Sequence, residues 1–379
     1  MMRKKSIKRL WRRSNMKFVI SGYYGFENSG DDALLLTIIR QIRNDYKNAQ
    51  ITVLSKSPKK TAADYGVVSV YRYNPISVIF HILKCNLLIS GGGTLIQDAT
   101  STKSLIYYLA IIKIARFFKK KVMLYANGIG PLTSFKNIEK TKNVLNDVDL
   151  ITLRDKNSVY ELEQIGVTKP RIELTADPVF LLQENGDADK ILDIYKIPQD
   201  KKLMCISVRE WRDNPSDFVK IIAEFCDYAK EKYDIYTVFL PMQTSVDYQI
   251  ALKIKNAMKN SATIVSGKYS FETILSLIGK MYTCVGMRLH SIIYAAKMLV
   301  PAIGLVYDPK VKGFLEYINE DRFIDVTEIN REILCKTLDG LCENYDAIKS
   351  HMKYEIRDMR KKAELNGELM KNLLNGEEN

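Results

Sequence analysis

From Lys17 onward, apolar positions fall into two alternating rhythms. Short runs such as "KFVIS" (17–21), "ITVLS" (51–55), "LLISGGG" (87–93), "VMLYANG" (122–128) and "LITLRD" (150–155) have the length and the Val/Ile/Leu content of buried strands. Between most of them lie stretches such as "DALLLTIIRQIRND", whose apolar residues return every three to four positions, as on one helix face. That alternation predicts βαβ units and a parallel sheet covered on both faces. A polar, turn-rich segment, "LLQENGDADKILDIYKIPQDKK" (181–202), interrupts the rhythm and reads as a linker. Strand-like runs then resume with "LMCISVRE" (203–210), "IYTVFLP" (235–241), "ATIVSG" (262–267), "MYTCVG" (281–286) and "AIGLVYD" (302–308). The chain finishes in a long amphipathic helix, "DAIKSHMKYEIRDMRKKAELNGELMKNLL" (346–374).

A chain of 379 residues exceeds what one hydrophobic core usually holds, so two domains are expected. The pattern predicts an α/β protein of two Rossmann-like, doubly wound domains in tandem. Their boundaries are expected at 17–185 and 200–345, with a cleft at the carboxyl ends of the strands, where open α/β sheets bind ligands. Hydrophobic residues make up 46% and charged residues 27%, as in an ordinary globular protein. The six cysteines are scattered, without CxxC spacing or a Cys/His cluster. They read as reduced thiols of a cytoplasmic protein rather than as disulfides or zinc ligands.

The net charge of +13 is unevenly placed, because residues 1–16 hold seven Lys/Arg and no acid. This leader has no apolar core of the secretory type. It reads either as a basic arm for an anionic membrane surface, with Leu10 and Trp11 as shallow anchors, or as a disordered extension upstream of a working start at Met16. Because the excess charge sits there and no RNA or DNA motif is visible, a nucleic-acid binder is disfavoured. The most apolar stretch, "LIYYLAIIKIARFF" (105–118), is shorter than a bilayer span and contains Lys113 and Arg116. It is expected to be a buried helix that could carry a membrane-facing edge.

Candidate chemistry lies at the strand ends. The loop "SGYYGFENSGDDALL" (21–35) matches neither GxGxxG nor GxxxxGK[ST], and its paired acids would repel a phosphate. It reads either as helix capping alone or as a place where Asp31 accepts hydrogen bonds from a polyhydroxylated ligand. Three consecutive glycines in "SGGGTLIQD" (90–98) would let backbone amides approach a ligand, "NGIGPL" (127–132) turns after its strand, and Arg154 stands at the mouth of another. In the second half Arg209, Arg288 and Lys310 follow three strands, which suggests an anion pocket, since arginine matches carboxylate and phosphate through its bidentate fork. His290 stands beside Arg288, where an imidazole can transfer protons, whereas His81 and His351 read as structural. The triplet "DAD" (187–189) lies in the linker, away from any strand end, and no metal site is expected.

Eight motifs in order, "ISGYYGFENSGDDALL", "LLISGGGTLIQD", "NGIGPL", "LRDKNSVYELEQIGV", "TADPVF", "SVREW", "GMRLHSIIYA" and "GLVYDPKV", resemble the polysaccharide pyruvyl transferase family, closest to its CsaB type. The resemblance runs from about Lys17 to Gly313. It implies a GT-B-like fold, with residues 346–379 crossing back to the first domain. It further implies phosphoenolpyruvate as donor, no cofactor, and a lipid-linked saccharide as acceptor, ketalised at the 4 and 6 positions of an N-acetylmannosamine unit. The modified cell-wall polymer would then anchor surface-layer proteins, and the enzyme would work in the cytoplasm, peripherally at the membrane. On this resemblance His290, Asp31 and Arg154 are catalytic, Arg209, Arg288, Lys310 and Ser291 bind the donor, and Tyr24, Asn28, Gly92, Gly93 and Asn127 meet the acceptor. Where the family often carries a histidine after "FLPM", this chain has Gln243, which shifts proton transfer onto His290. The rival reading is a GT-B glycosyltransferase with a nucleotide-sugar donor, since fold does not determine function.

Overall fold

The computed structural model describes residues 15–377. Among these the chain forms two compact units, residues 15–181 with 359–377, and residues 182–358. The first begins with β1 (Lys17–Ser21), α1 (Ser29–Asp45), β2 (Gln50–Ser55), α2 (Pro58–Tyr65), β3 (Val68–Tyr71), α3 (Pro75–Lys84), β4 (Leu87–Ile96) and α4 (Thr102–Phe117). It continues with β5 (Lys121–Ile129), α5 (Phe135–Leu145), β6 (Leu150–Leu153), α6 (Lys156–Ile165) and β7 (Arg171–Leu174). These strands are parallel, in the order β3-β2-β1-β4-β5-β6-β7.

The period-two pattern explains how both faces are filled. Along β1, Phe18 and Ile20 enter one apolar cluster with Leu35, Ile38 and Ile39 of α1. Val19 enters the other, with Val78 and Ile82 of α3 and Leu105, Leu109 and Ile112 of α4.

In the second unit, α7 (Ala188–Ile194) lies inside the segment expected to be a bare linker, where Ile191 and Leu192 find apolar cover that their polar flanks did not announce. There follow β8 (Lys202–Ser207), α8 (Phe218–Tyr233), β9 (Ile235–Phe239), α9 (Thr244–Ala257), β10 (Ala262–Ile264), α10 (Phe271–Gly279) and β11 (Thr283–Gly286). Next come α11 (Leu289–Lys297), β12 (Ala302–Val306), α12 (Pro309–Tyr317), β13 (Phe323–Asp325), α13 (Arg331–Glu343) and the long α14 (Tyr345–Asn375). This sheet has the order β10-β9-β8-β11-β12-β13 and is likewise parallel.

The far end of α14 belongs to the first unit. Leu369 and Met370 complete the cluster around Phe18, and the fully buried Asn366 donates to Ala176 O at 3.1 Å while accepting from Thr175 Oγ1 at 2.9 Å. In each sheet the strand order reverses direction beside the first strand, between β1 and β4 and between β8 and β11. Such switch points leave a crevice beyond the carboxyl ends of the strands.

Of the basic leader, residues 1–14 lie outside the described residues; Met16 O accepts from Gln50 N beside β1. No described helix is long and apolar enough to cross a membrane, and α4 buries Leu105, Tyr108, Leu109, Ile111 and Ile112.

Candidate functional site

The carboxyl edge of the second sheet collects the cations. Arg209 follows β8 and Arg288 follows β11, so the two flank the switch point, and Lys310 follows the next strand, β12. Their surroundings differ. Arg288 caps α11, and its Nη2 and Nε donate to the two oxygens of Asp247 at 2.6 and 3.0 Å. Asp247, in the first turn of α9, is wholly buried. Lys310 Nζ sits 2.8 Å from Asp308, which also caps α12.

Arg209 has no carboxylate partner among the described residues. It lies against an aromatic pair, 5.0 Å from Trp211 and 5.2 Å from Tyr307, whose rings meet edge-on 5.0 Å apart, and its Nη1 reaches only the Tyr307 hydroxyl, at 3.5 Å. Its Nε is buried without a hydrogen-bond partner. A guanidinium held against aromatic rings, with a buried donor unspent, is suited to a ligand oxyanion.

His290 is the second residue of α11, directly after the Arg288 cap, and its ring packs edge-on to Tyr294 with centroids 6.2 Å apart. Gln243 accepts from Arg288 Nη2 at 3.2 Å, so the position where the resemblance leads one to look for histidine touches the Arg288–Asp247 pair. Ser291, expected at the donor, is turned inward. It is fully buried and its hydroxyl donates to Arg288 O at 2.6 Å, which holds the start of α11.

The first sheet carries a different set. Asn28 caps α1 by accepting from Gly30 N and Asp31 N. The three glycines lie within β4, where Gly91 and Gly93 pair with Tyr125 and Asn127 of β5. Gly92 and Gly93 have φ of +55° and +76°, and a Cβ there would lie 2.8 Å from Leu34 Cδ1 and 2.7 Å from Asp31 Oδ1. Much of the close approach they permit is therefore to α1 itself, which brings the Asp31 carboxylate against the end of β4.

Asn127 is buried and donates to Gly93 O at 3.4 Å, and Arg154 N donates to Asn127 O at 3.3 Å. Asp31, Gly93, Asn127 and Arg154 thus share one edge. Arg154, only 5% exposed, is spent on Asp177 at 3.0 Å and Thr94 Oγ1 at 3.1 Å. Tyr24 is core rather than lining: it is 1% exposed and donates to Gly91 O at 2.7 Å. Its neighbours Tyr23 and Phe26 stack 4.1 Å apart and are half-buried.

Sequence reasoning passed over three groups here. Asp32 is pushed up to about 7 by burial first and the Asp31 charge second. Asp177, in "TADPVF", is the partner of Arg154. Arg72, buried among Phe26, Tyr73, Tyr107 and Tyr108, lies 4.2 Å from the Tyr107 ring and donates to Gly22 O. The adjacent aspartates in a capped first turn and the motif "TADPVF" gave a signal for Asp32 and Asp177, and nothing in the sequence singled out Arg72. Among the described residues no group of three or more His, Cys, Asp or Glu side chains could hold a metal ion.

The sequence profile of the family described as polysaccharide pyruvyl transferase matches residues 28–309. This chain belongs to the polysaccharide pyruvyl transferase family. The match takes in every site residue named above, from Asn28 through His290, apart from the first loop at Tyr24 and the cation at Lys310.

Among relatives, the amylovoran biosynthesis protein AmsJ of Erwinia amylovora is 19% identical over 404 residues, which cover 91% of this chain and 96% of that protein. Among solved structures, S. aureus MnaA with UDP superposes with a TM-score of 0.66 at 13% identity, covering 95% of this chain and 97% of that one. The Neisseria meningitidis UDP-GlcNAc 2-epimerase bound to UDP-GlcNAc gives 0.63 at 12% identity, covering 94% and 100%. Anabaena HepE in complex with UDP-glucose gives 0.65 at 10% identity, covering 95% and 99%. At these identities the likeness concerns the fold, which is GT-B-like, with two Rossmann-like units. At this level the polysaccharide pyruvyl transferase fold and family describe a GT-B-like transferase acting on a sugar substrate.

Proposed function

We propose that the protein transfers pyruvate from phosphoenolpyruvate to two hydroxyls of a sugar, forming a cyclic ketal and releasing phosphate. One observation carries this reading. Arg209, at the switch point of the second sheet, is a cation without a carboxylate partner among the described residues, and its Nε is buried and unspent. A small donor bearing both carboxylate and phosphate suits such a group, with Lys310 nearby across Tyr307.

The chemistry balances in three moves. The methylene carbon of phosphoenolpyruvate gains a proton, one sugar hydroxyl adds to the resulting cationic carbon and loses its proton, and the second hydroxyl displaces phosphate, which leaves with the second proton. His290 is assigned the proton transfers, a role worth typically ~10²–10⁴ in rate. Arg288 is assigned to hold the His290 turn and the donor, Asp31 to accept from sugar hydroxyls, and Arg154 to order the strand ends around it. The acceptor in this reading is a lipid-linked saccharide with a free 4,6-diol on N-acetylmannosamine, as the CsaB-type resemblance implies.

His290→Ala tests the assignment in a pyruvyl-transfer assay with a diphospho-lipid disaccharide or a soluble analogue. The expected result is a loss of at least about a hundredfold in kcat; near-normal turnover in a folded variant removes His290 from the mechanism. The second reading, a nucleotide-sugar donor, draws on the UDP and UDP-sugar named for the solved structures above. Thermal shift separates the two. Phosphoenolpyruvate raising Tm while nucleotide diphosphates leave it unchanged supports pyruvyl transfer, and the converse supports glycosyl transfer.

A further inference from the structure

The helices α3 and α4 cover the same face of the first sheet through Val78, Ile82, Leu105, Tyr108, Leu109 and Ile112. Their outer faces are not the polar surfaces that such helices normally present to water. On α3, Ile76, Phe80 and Leu83 recur at i, i+4 and i+7 and are exposed, Ile76 by 82%. On α4, Ile106, Ala110, Lys113 and Phe117 recur at i, i+4, i+7 and i+11 and are exposed, Phe117 by 80%.

The charge on this surface is mostly of one sign: Asp147 and Asp149 reach α4 only at Arg116, which pairs with both. Neither helix contains an acidic residue. Between Asp64 and Glu139 the sequence has nine Lys/Arg and a single carboxylate, Asp98. That carboxylate is engaged by Thr133, Ser134 and Asn137 beyond the opposite ends of the strands. Lys84 Nζ lies 3.7 Å over the Phe80 ring, so its stem covers apolar surface while its charge remains outside. Beside it, Lys17, Arg43, His81, Lys84 and Phe80 line a groove of about 360 Å³ that has no carboxylate in its wall. The chain enters this edge at Lys17, after the leader with its seven basic residues.

We infer that the α3–α4 face of the first unit docks on an anionic lipid surface, with Ile76, Phe80, Leu83, Ile106 and Phe117 entering the headgroup boundary and the surrounding lysines meeting lipid phosphates. Large apolar side chains ringed by cations that outnumber the acids are what an interfacial protein surface requires. Nucleic acid would use the lysines but leave Ile76 and Phe117 unexplained. A second copy related by a two-fold axis would set lysine-rich faces against each other. The inference does not depend on which donor the enzyme uses.

Co-sedimentation of the full chain with vesicles tests it. Vesicles of phosphatidylglycerol and phosphatidylcholine in equal parts are compared with phosphatidylcholine alone, using Ile76→Glu/Phe80→Glu/Phe117→Glu and a chain lacking residues 1–14. The wild type is expected to bind the anionic vesicles in a salt-sensitive way, and the triple variant about a hundredfold more weakly. The chain without its leader is expected to keep binding that the triple substitution then abolishes. Absence of wild-type binding, equal binding by the triple variant, or complete loss on removing the leader alone overturns the inference. A stable dimer in light scattering that the triple variant breaks also overturns it, in favour of self-association. Melting temperature checks the fold. Should the carboxylates disturb it, Lys84→Gln/Lys113→Gln/Lys119→Gln must reduce binding about tenfold or more, and an unchanged affinity again overturns the inference.

Discussion

The two sheets share the order 3-2-1-4-5-6, with a seventh strand added to the first, yet their carboxyl edges are chemically unlike. The edge beyond β1, β4, β5 and β6 gathers Asp31, Asp32, the amide of Asn127 and an arginine already held by Asp177. The edge beyond β8, β11 and β12 gathers Arg209, Arg288, His290 and Lys310. Parallel topology produces the same crevice twice, because each βα turn leaves the sheet at the same end. What each crevice can hold depends on where carboxylates fall relative to the cations. In the second unit Asp247 and Asp308 neutralise two of the three strand-end cations and leave Arg209.

The contrast can be broken most sharply at Asp247. Replacing it with alanine leaves the Arg288 guanidinium, 13% exposed in its side chain, without its partner. Breaking such a pair costs about 3–5 kcal/mol, so Asp247→Ala should shift the urea midpoint accordingly. A loss under about 1 kcal/mol would mean that the pair does not organise this edge.

Next in size is Arg209→Ala. It removes no internal ion pair, so stability should change little, while kcat/KM for phosphoenolpyruvate should fall about a hundredfold, or about 2.7 kcal/mol. Arg209→Lys should recover only part of this, lacking the bidentate fork. A large stability loss with unchanged kinetics would make Arg209 structural.

The smallest effect sharpens the other edge. Burial, with the Asp31 charge second, pushes the Asp32 carboxyl up to about 7 in the folded protein, from an ordinary value of 3.8. Between about pH 4 and 7 the unfolded chain releases this proton while the folded chain retains it. Stability therefore falls as pH rises through that window and is level above it. Asp32→Asn should remove this slope, raising stability at pH 8 by about 2 kcal/mol once local relaxation is allowed for, with no gain at pH 3. An unchanged pH slope in urea denaturation would place the proton elsewhere.

Much of the fold could be read from the linear chain. Strand runs and helix periods gave the α/β class, and the three basic strand ends fell on three neighbouring strands, β8, β11 and β12. The glycine run, read as the end of a strand that opens toward a ligand, does lie in β4, where Gly91 and Gly93 pair with Tyr125 and Asn127. Tyr24 and Ser291 were read as ligand contacts because loop polarity cannot reveal which way a side chain points; one donates to Gly91 O and the other to Arg288 O.

Local pattern thus determined the elements, because helix and strand periods are set by the backbone over a few residues. It also placed cations at turns and, through ordered motifs, gave the family. Only the tertiary structure decided which charges remain available. Arg288 meets Asp247 across 41 residues and Arg154 meets Asp177 across 23, and the raised ionisation of Asp32 comes from burial. Neutralisation and desolvation depend on distances in space, and those are fixed when the helices settle on their sheets.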